Sequence, residues 1–220
     1  MAARAKSSIL MKNRTSQILF AYWNEARQGR VAPRRLDIEP ARIAGILSET
    51  MILEQTEGNE FRFRLAGTKI TEIFAAELRG TNFMELWNEE DRATLRRKLS
   101  AVQEQGGALR LEIDATAEGD RHVVLETLLL PLIHTRDVVD RFLGSFSPAS
   151  RPGWFGVEPI TGLKITAAEI IWPEGRPHAV AERVTQPAVF GAHANSGRLV
   201  RFDRRQFRVL DGGRDAGGKT

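Results

Sequence analysis

Residues 60–74 read EFRFRLAGTKITEIF, and the fold follows from a change of periodicity within this stretch. In residues 60–66 apolar and arginine side chains alternate, which predicts a strand with one buried face. Gly67 interrupts that strand, and Thr68 belongs to a residue type that caps helices. Apolar residues then recur at helical spacing and stop before Gly80, so the sequence predicts a helix directly after the strand.

The segments around this stretch predict an α+β domain with an antiparallel sheet of five strands and helices on one face. Two adjacent strands, a helical crossover and three adjacent strands give this arrangement. The predicted strands span residues 51–56, 60–66, 108–115, 122–133 and 138–147. The further predicted helices span residues 15–28, 41–47 and 88–105, and the first of these is amphipathic.

Composition excludes several kinds of chemistry. The 220 residues include no cysteine, which excludes disulfides, thiolate metal sites, catalytic thiols and cysteinyl–flavin photochemistry. No apolar run approaches the roughly 18 residues of a membrane span, so we expect a cytoplasmic protein. Residues 15–147 carry 17 positive and 21 negative side chains, and the excess positive charge lies at the two ends. A compact nucleic-acid-binding domain would concentrate that charge on one folded face.

The chain divides into three predicted parts. Residues 1–14 are expected to be a disordered basic N-terminus, and residues 15–148 form the folded domain. Residues 149–220 are a partly ordered extension rich in proline, glycine and arginine, in which only residues 163–172 and 206–210 are structured candidates. Two short segments bury too little apolar surface to offset the ordering of about 70 residues at roughly 1–2 kcal/mol each.

The motifs that suggest an enzyme or a metal protein do not have the necessary context. Residues 213–220 match a phosphate-loop pattern, but a phosphate loop needs a following helix, so we interpret them as a flexible tail. Two R-x-x-D matches, at Arg34 and Arg208, are expected by chance. The four histidines lack metal-ligand spacing. We therefore predict no enzymatic activity, no metal and no cofactor.

One set of residues resembles the alphaproteobacterial PAS-like domain family, a PAS subfamily formerly catalogued as a domain of unknown function. The resemblance covers about residues 18–148. It implies a sensory or interaction module and no particular ligand. One departure is Ala75, where the family pattern has glycine, and we expect it to disturb a helix contact. The matching residues are Trp23, Pro33, Arg35, Asp37, Pro40, Arg64, Gly67, Thr68, Gly80, Glu126, Pro131 and Gly144.

The predicted ligand pocket is the interior between the helices and the sheet. The helix stripes have no other apolar surface to cover, so this interior should be mainly core, with at most a small apolar cavity. Its expected lining residues are Phe74, Phe83, Trp87, Leu95, Leu99, Leu111, Ile113 and Leu129.

These observations favour a stand-alone sensory or interaction module that regulates a separate effector protein through contacts, with a small molecule as a possible ligand. Tyr22 and Trp23 on the first helix form a large apolar surface, from which we expect a homodimer. The alternative is a nucleic-acid-associated regulator that uses the arginine-rich residues 198–208. An enzyme is the third hypothesis.

Overall fold

A computed structural model describes residues 11–58, 60–134 and 137–178. Its helices are α1 (Arg14–Ala26), α2 (Thr68–Phe74) and α3 (Glu89–Gln105), and 3₁₀ segments span Arg35–Asp37, Pro40–Glu49 and Phe83–Leu86. Its strands are β1 (Thr50–Gln55), β2 (Phe61–Ala66), β3 (Ala108–Ala117), β4 (Arg121–Ile133), β5 (Val139–Pro148) and β6 (Ile160–Ile171). The predicted residues 198–208, 206–210 and 213–220 lie outside the described ranges.

The predicted α+β antiparallel fold is confirmed, with one strand more than expected. The sheet order is β2-β1-β5-β4-β3-β6. Strand β6 pairs antiparallel with β3 from Ala108 opposite Ile171 to Ala117 opposite Ile160. Without β6, strand β3 would present an unpaired edge. Residues 160–171 therefore belong to the sheet, and the predicted structured candidate at residues 163–172 corresponds to this strand of the extension.

Helices cover both faces of this sheet. The inner face packs against α2, α3 and the 3₁₀ segment between them, as predicted. Helix α1 covers the outer face, where Leu19 and Trp23 pack with Leu128, Leu130 and Leu143. Burial of an apolar stripe on each face stabilises the α1 and α2–α3 layers separately.

The docking of α1 removes the reason for expecting a dimer. Tyr22 and Trp23 are both buried within this chain. The indole Nε1 of Trp23 donates to the backbone oxygen of Pro131 at 2.8 Å. The apolar surface from which we expected a homodimer is thus covered by the chain's own sheet, and the dimer stays an untested prediction.

Order also begins earlier than residue 15. Met11 is buried, and the backbone nitrogens of Lys12 and Asn13 donate to the carboxylate of Glu126. Asn13 caps α1 by accepting a hydrogen bond from the backbone nitrogen of Thr15 at 2.8 Å. The predicted disordered N-terminus is therefore wrong for residues 11–14, whereas residues 1–10 lie outside the described ranges.

The strand-to-helix switch at Gly67 depends on close backbone contact. A Cβ atom at Gly67 would lie 2.4 Å from the backbone oxygens of Leu47 and Ser48, a distance that only glycine avoids. Gly67 is itself the N-cap residue of α2, and its carbonyl oxygen accepts from Ile70 and Thr71. Thr68 is the first helical residue, so its predicted capping role is wrong.

Ala75 ends α2 in a left-handed conformation, with φ 45° and ψ 38°. This region favours glycine, because an L side chain there places Cβ too close to the backbone. Ala75 therefore destabilises the protein through strain in its own backbone, and not through a helix contact as we expected.

Ala75→Gly should raise the free energy of unfolding by about 1 kcal/mol, since glycine removes the left-handed penalty. Chemical denaturation of the full chain measures this change. Ala76→Gly is the matched control, because Ala76 does not have a positive φ and glycine there should lower stability by about 0.5 kcal/mol. Equal effects of the two substitutions would contradict the interpretation.

Candidate functional site

The structure brings the eight predicted pocket residues into one inner core. Seven of them are buried, and Phe74 is partly buried against the rest. Their aromatic rings form a continuous series together with Phe146, which was not predicted: Phe74 to Phe146 at 5.6 Å between centroids, Phe146 to Phe83 at 6.3 Å, and Phe83 to Trp87 at 5.6 Å. Edge-to-face and tilted ring contacts of this kind pack an interior densely.

Two polar atoms in this interior have no hydrogen-bond partner among the described residues. They are Nε1 of Trp87 and Oγ1 of Thr127. Thr127 lies in β4 directly between Leu111 of β3 and Phe146 of β5, which places it on the inner face of the sheet. Burying a hydroxyl without a partner costs roughly 1–3 kcal/mol. Thr127 and Trp87 are thus polar groups of the inner core whose burial is not offset by hydrogen bonds within the described residues.

Sequence reasoning missed Thr127. The segment VVLETLLLPL, residues 123–132, is almost wholly apolar, and its alternation between faces is visible only once Glu126 is assigned to the outer face. Thr127 is then the single polar side chain in the inner phase of Val123, Leu125 and Leu129. Placing Glu126 on the outer face would therefore have identified Thr127 as a polar residue that faces the inner core.

Glu126 organises the opposite, outer face of the sheet. Its carboxylate accepts from the backbone nitrogens of Lys12 at 3.0 Å and Asn13 at 3.1 Å, and from Nε of Arg110 at 2.8 Å. The side chains of Arg110 and Glu126 are only 4% and 5% exposed. Arg110 also contacts the carboxylates of Glu112 and Glu169. The buried charges are thus compensated, and the start of α1 is fixed to β4.

Other residues of the family pattern hold the segment between α1 and the sheet. Pro131 accepts the Trp23 indole, and the carbonyl oxygen of Pro33 accepts from the backbone nitrogen of Ile133 at 3.0 Å. A Cβ at Gly144 would lie 2.7 Å from the Met51 side chain and 2.9 Å from the Leu128 oxygen, so glycine is needed for close packing there. Pro33 and Pro131 thus support the outer layer, whereas Gly144 lies on the inner face of β5, opposite Met51 and Leu129 of the inner core.

Arg35 and Asp37 of the family pattern do not form an ion pair with each other. Asp37 instead accepts from Arg30 at 2.6 Å and from the backbone nitrogen of Arg34 at 2.9 Å, which closes a turn. Burial acts to raise the pKa of Asp37, but these hydrogen bonds together hold it below its ordinary value. The R-x-x-D match from Arg34 to Asp37 is therefore structural.

Four residues of the pattern have simple roles or remain at the surface. Pro40 starts a 3₁₀ segment, as a proline at the first helical position can. Gly80 has φ 84° in a turn, which favours glycine. Arg64 is exposed and lies 3.9 Å from Glu54, and the described residues offer no ion partner to Arg35.

Glu49 is a second buried carboxylate that the sequence did not indicate. It accepts from Thr15 of α1 at 2.5 Å, Lys69 of α2 at 2.9 Å and Arg151 at 2.7 Å. Burial acts to raise the pKa of Glu49, but the hydrogen bonds from Thr15 and Lys69 and the nearby positive charges outweigh it, so the pKa is lowered. The group is therefore ionised at neutral pH.

Across the described ranges, the structure shows no cluster of three or more acidic or histidine side chains that could hold a metal ion. In those same ranges, no helix is long and apolar enough to cross a membrane. His122 lies exposed at the start of β4, where Asp114 and Asp120 raise its pKa through hydrogen bonds.

The geometry defines a class of domain: an antiparallel sheet with a filled inner core and an outer face covered by an N-terminal helix. A family model described as PAS domain matches residues 11–147. The chain belongs to the PAS domain family, and it is a sensory module of the kind found in signalling.

Among solved structures, the chain is similar to the LOV protein of Rhodobacter sphaeroides, with 17% identity, 53% of this chain and 71% of that chain covered, and a TM-score of 0.39. No curated protein matches the chain.

Glu126→Gln should lower the free energy of unfolding by roughly 3–5 kcal/mol, because it removes one partner of a buried ion pair and an acceptor for the start of α1. Chemical denaturation measures the loss. Glu112→Gln is the control: Glu112 also contacts Arg110 but is 26% exposed, and its loss should cost about 1 kcal/mol or less. Similar losses for both variants would show that Glu126 has no special role.

Proposed function

We propose that this PAS domain senses a small molecule in its inner core and regulates a separate effector protein through contacts, without catalysis. The unpaired polar atoms of Trp87 and Thr127 carry this proposal. An indole N–H only donates, whereas a hydroxyl both donates and accepts. A ligand that satisfies both offers at least one acceptor atom and is otherwise apolar, because the surrounding core residues are Phe, Leu and Ile.

The size of the ligand is limited by the packing of the core. Leu95, Leu99 and Leu111 are fully buried, and the aromatic series fills the space between helices and sheet. Because protein interiors are close-packed, a ligand enters only if these side chains change rotamer. We therefore propose a ligand of a few non-hydrogen atoms, whose binding shifts the helical layer against the sheet.

The outer layer supports an output through protein contact. Two fully buried hydroxyls in or below α1, those of Ser16 and Ser145, also have no partner among the described residues. The start of α1 is held instead by directional hydrogen bonds to Glu126 and Glu49. A first turn that detaches when those particular bonds are lost can expose or withdraw a surface for an effector.

The finer assignments rest on sequence alone. They include membership of the alphaproteobacterial subfamily, a homodimer and a cytoplasmic location. The nucleic-acid alternative depends on residues 198–208, which lie outside the described ranges, and we propose protein contact in preference because Asp203 and Asp211 dilute the positive charge of that stretch.

Thr127→Val should raise the free energy of unfolding of the ligand-free protein by about 1 kcal/mol, because it replaces an unpaired buried hydroxyl by a methyl group of the same shape. The same variant should lose any compound that native mass spectrometry finds bound to the wild-type chain. Thr116→Val, on the partly exposed phase of β3, is the control and should change neither quantity. A destabilised Thr127→Val that keeps the compound would contradict the proposal.

A further inference from the structure

The segment between β5 and β6, residues 149–159, crosses one end of the inner core, and we call it the strap. Trp154 and Phe155 of the strap pack against the core from outside. Phe155, Ile73 and Phe146 line a recess of about 150 Å³. Phe146 belongs to the aromatic series described above, so the strap lies directly beside the proposed ligand site.

Glu49 connects the strap to three other elements. Its Oε1 accepts from Nζ of Lys69 in α2 and from Nη2 of Arg151 in the strap. Its Oε2 accepts from the hydroxyl of Thr15 in α1 and, at 3.3 Å, from the hydroxyl of Ser147 in β5. Oε1 thus binds the elements beside the inner core, and Oε2 binds the outer helix α1 and strand β5. The side chain is 11% exposed.

The rigidity of a carboxylate makes these two sets of contacts interdependent. Its two oxygens are held by one planar group, so a rotation that follows Arg151 on Oε1 also moves Oε2 away from Thr15. A carboxylate buried to this degree needs its partners, because an uncompensated buried charge is costly. Thr15 is itself buried in the first turn of α1, so loss of its acceptor loosens that turn.

We propose that Glu49 is the positioning residue that couples the strap at the inner core to the docking of α1 on the outer face. This inference rests on the proposed function, since it names how occupancy of the core reaches the output helix. A ligand that displaces Phe146 or Phe155 moves the strap, Arg151 withdraws from Glu49, and the start of α1 is released. Coupling of this kind is reciprocal, so release of α1 also loosens the strap.

The strap contains a second ion pair that provides a matched control. Arg121 of β4 contacts Glu158 of the strap. This pair joins the strap to the sheet without touching Glu49 or α1. If any loosening of the strap reached α1 through the general fold, loss of either ion pair would act alike.

Hydrogen exchange of the full chain tests the coupling. Arg151→Ala should speed exchange at residues 17–20 of α1 by about two- to fivefold, the effect of losing a half-exposed ion pair, since the amide of Gln17 and those after it are bonded within the helix. Arg121→Ala should leave exchange at these residues unchanged. In a Glu49→Gln background, which keeps the shape but removes the charge, Arg151→Ala should have no further effect. Thr15→Val should speed exchange in the strap by a similar factor.

Three results would overturn the inference: no change in α1 with Arg151→Ala, an equal change with Arg121→Ala, or an undiminished effect of Arg151→Ala in the Glu49→Gln background. The proposed function fails separately. If no compound binds the wild-type chain but α1 still responds to Arg151→Ala, the coupling stands and the proposed ligand does not. If Thr127→Val abolishes binding and α1 never responds, the ligand stands and Glu49 is not its link to α1.

Discussion

A buried carboxylate on the outer face of the sheet determines how the two layers of this protein are assembled. Glu126 is acceptable there only because Arg110 and two backbone nitrogens surround it. Those nitrogens belong to Lys12 and Asn13. The buried charge of Glu126 needs these donors, and this need fixes where α1 begins. Once that start is fixed, the apolar stripe of α1 falls on β4 and β5, and the outer face is covered by the chain itself.

The inner layer has the opposite character. It is held by apolar and aromatic packing, and its polar atoms at Trp87 and Thr127 lack partners in the described part of the chain. Dense packing makes such an interior respond to a new occupant by discrete rearrangement rather than gradual deformation. The outer layer, fixed by directional hydrogen bonds to carboxylates, responds by gain or loss of particular bonds. A signal that starts inside must therefore be converted from a packing change into a bonding change.

Periodicity predicted the fold well, because each strand has a buried face and each helix an apolar stripe. At β6 it indicated a structured segment, residues 163–172, but not its place in the sheet. Residues 160–171 are partly exposed along an edge, and their pairing with β3 depends on a contact distant in sequence. Ala75 was noticed only because it departs from the family pattern, since a single residue in the left-handed conformation produces no periodic signal in a sequence. Glu49, Glu126 and Thr127 could not be assigned roles in advance, because a buried charge or hydroxyl is defined by neighbours from other elements.

The sixth strand explains why Glu49 can have a coupling role at all. Strand β6 lies beyond residues 11–147, the part that matches the family model, and the chain must cross from β5 at the centre of the sheet to the edge beside β3. That crossing is the strap, and it brings Arg151 to the end of the inner core. With β5 as the last strand, Glu49 would hold only Lys69, Thr15 and Ser147, all within the matched domain. Arg151 adds a partner whose position depends on the closure of the core, so the same carboxylate connects that closure to α1.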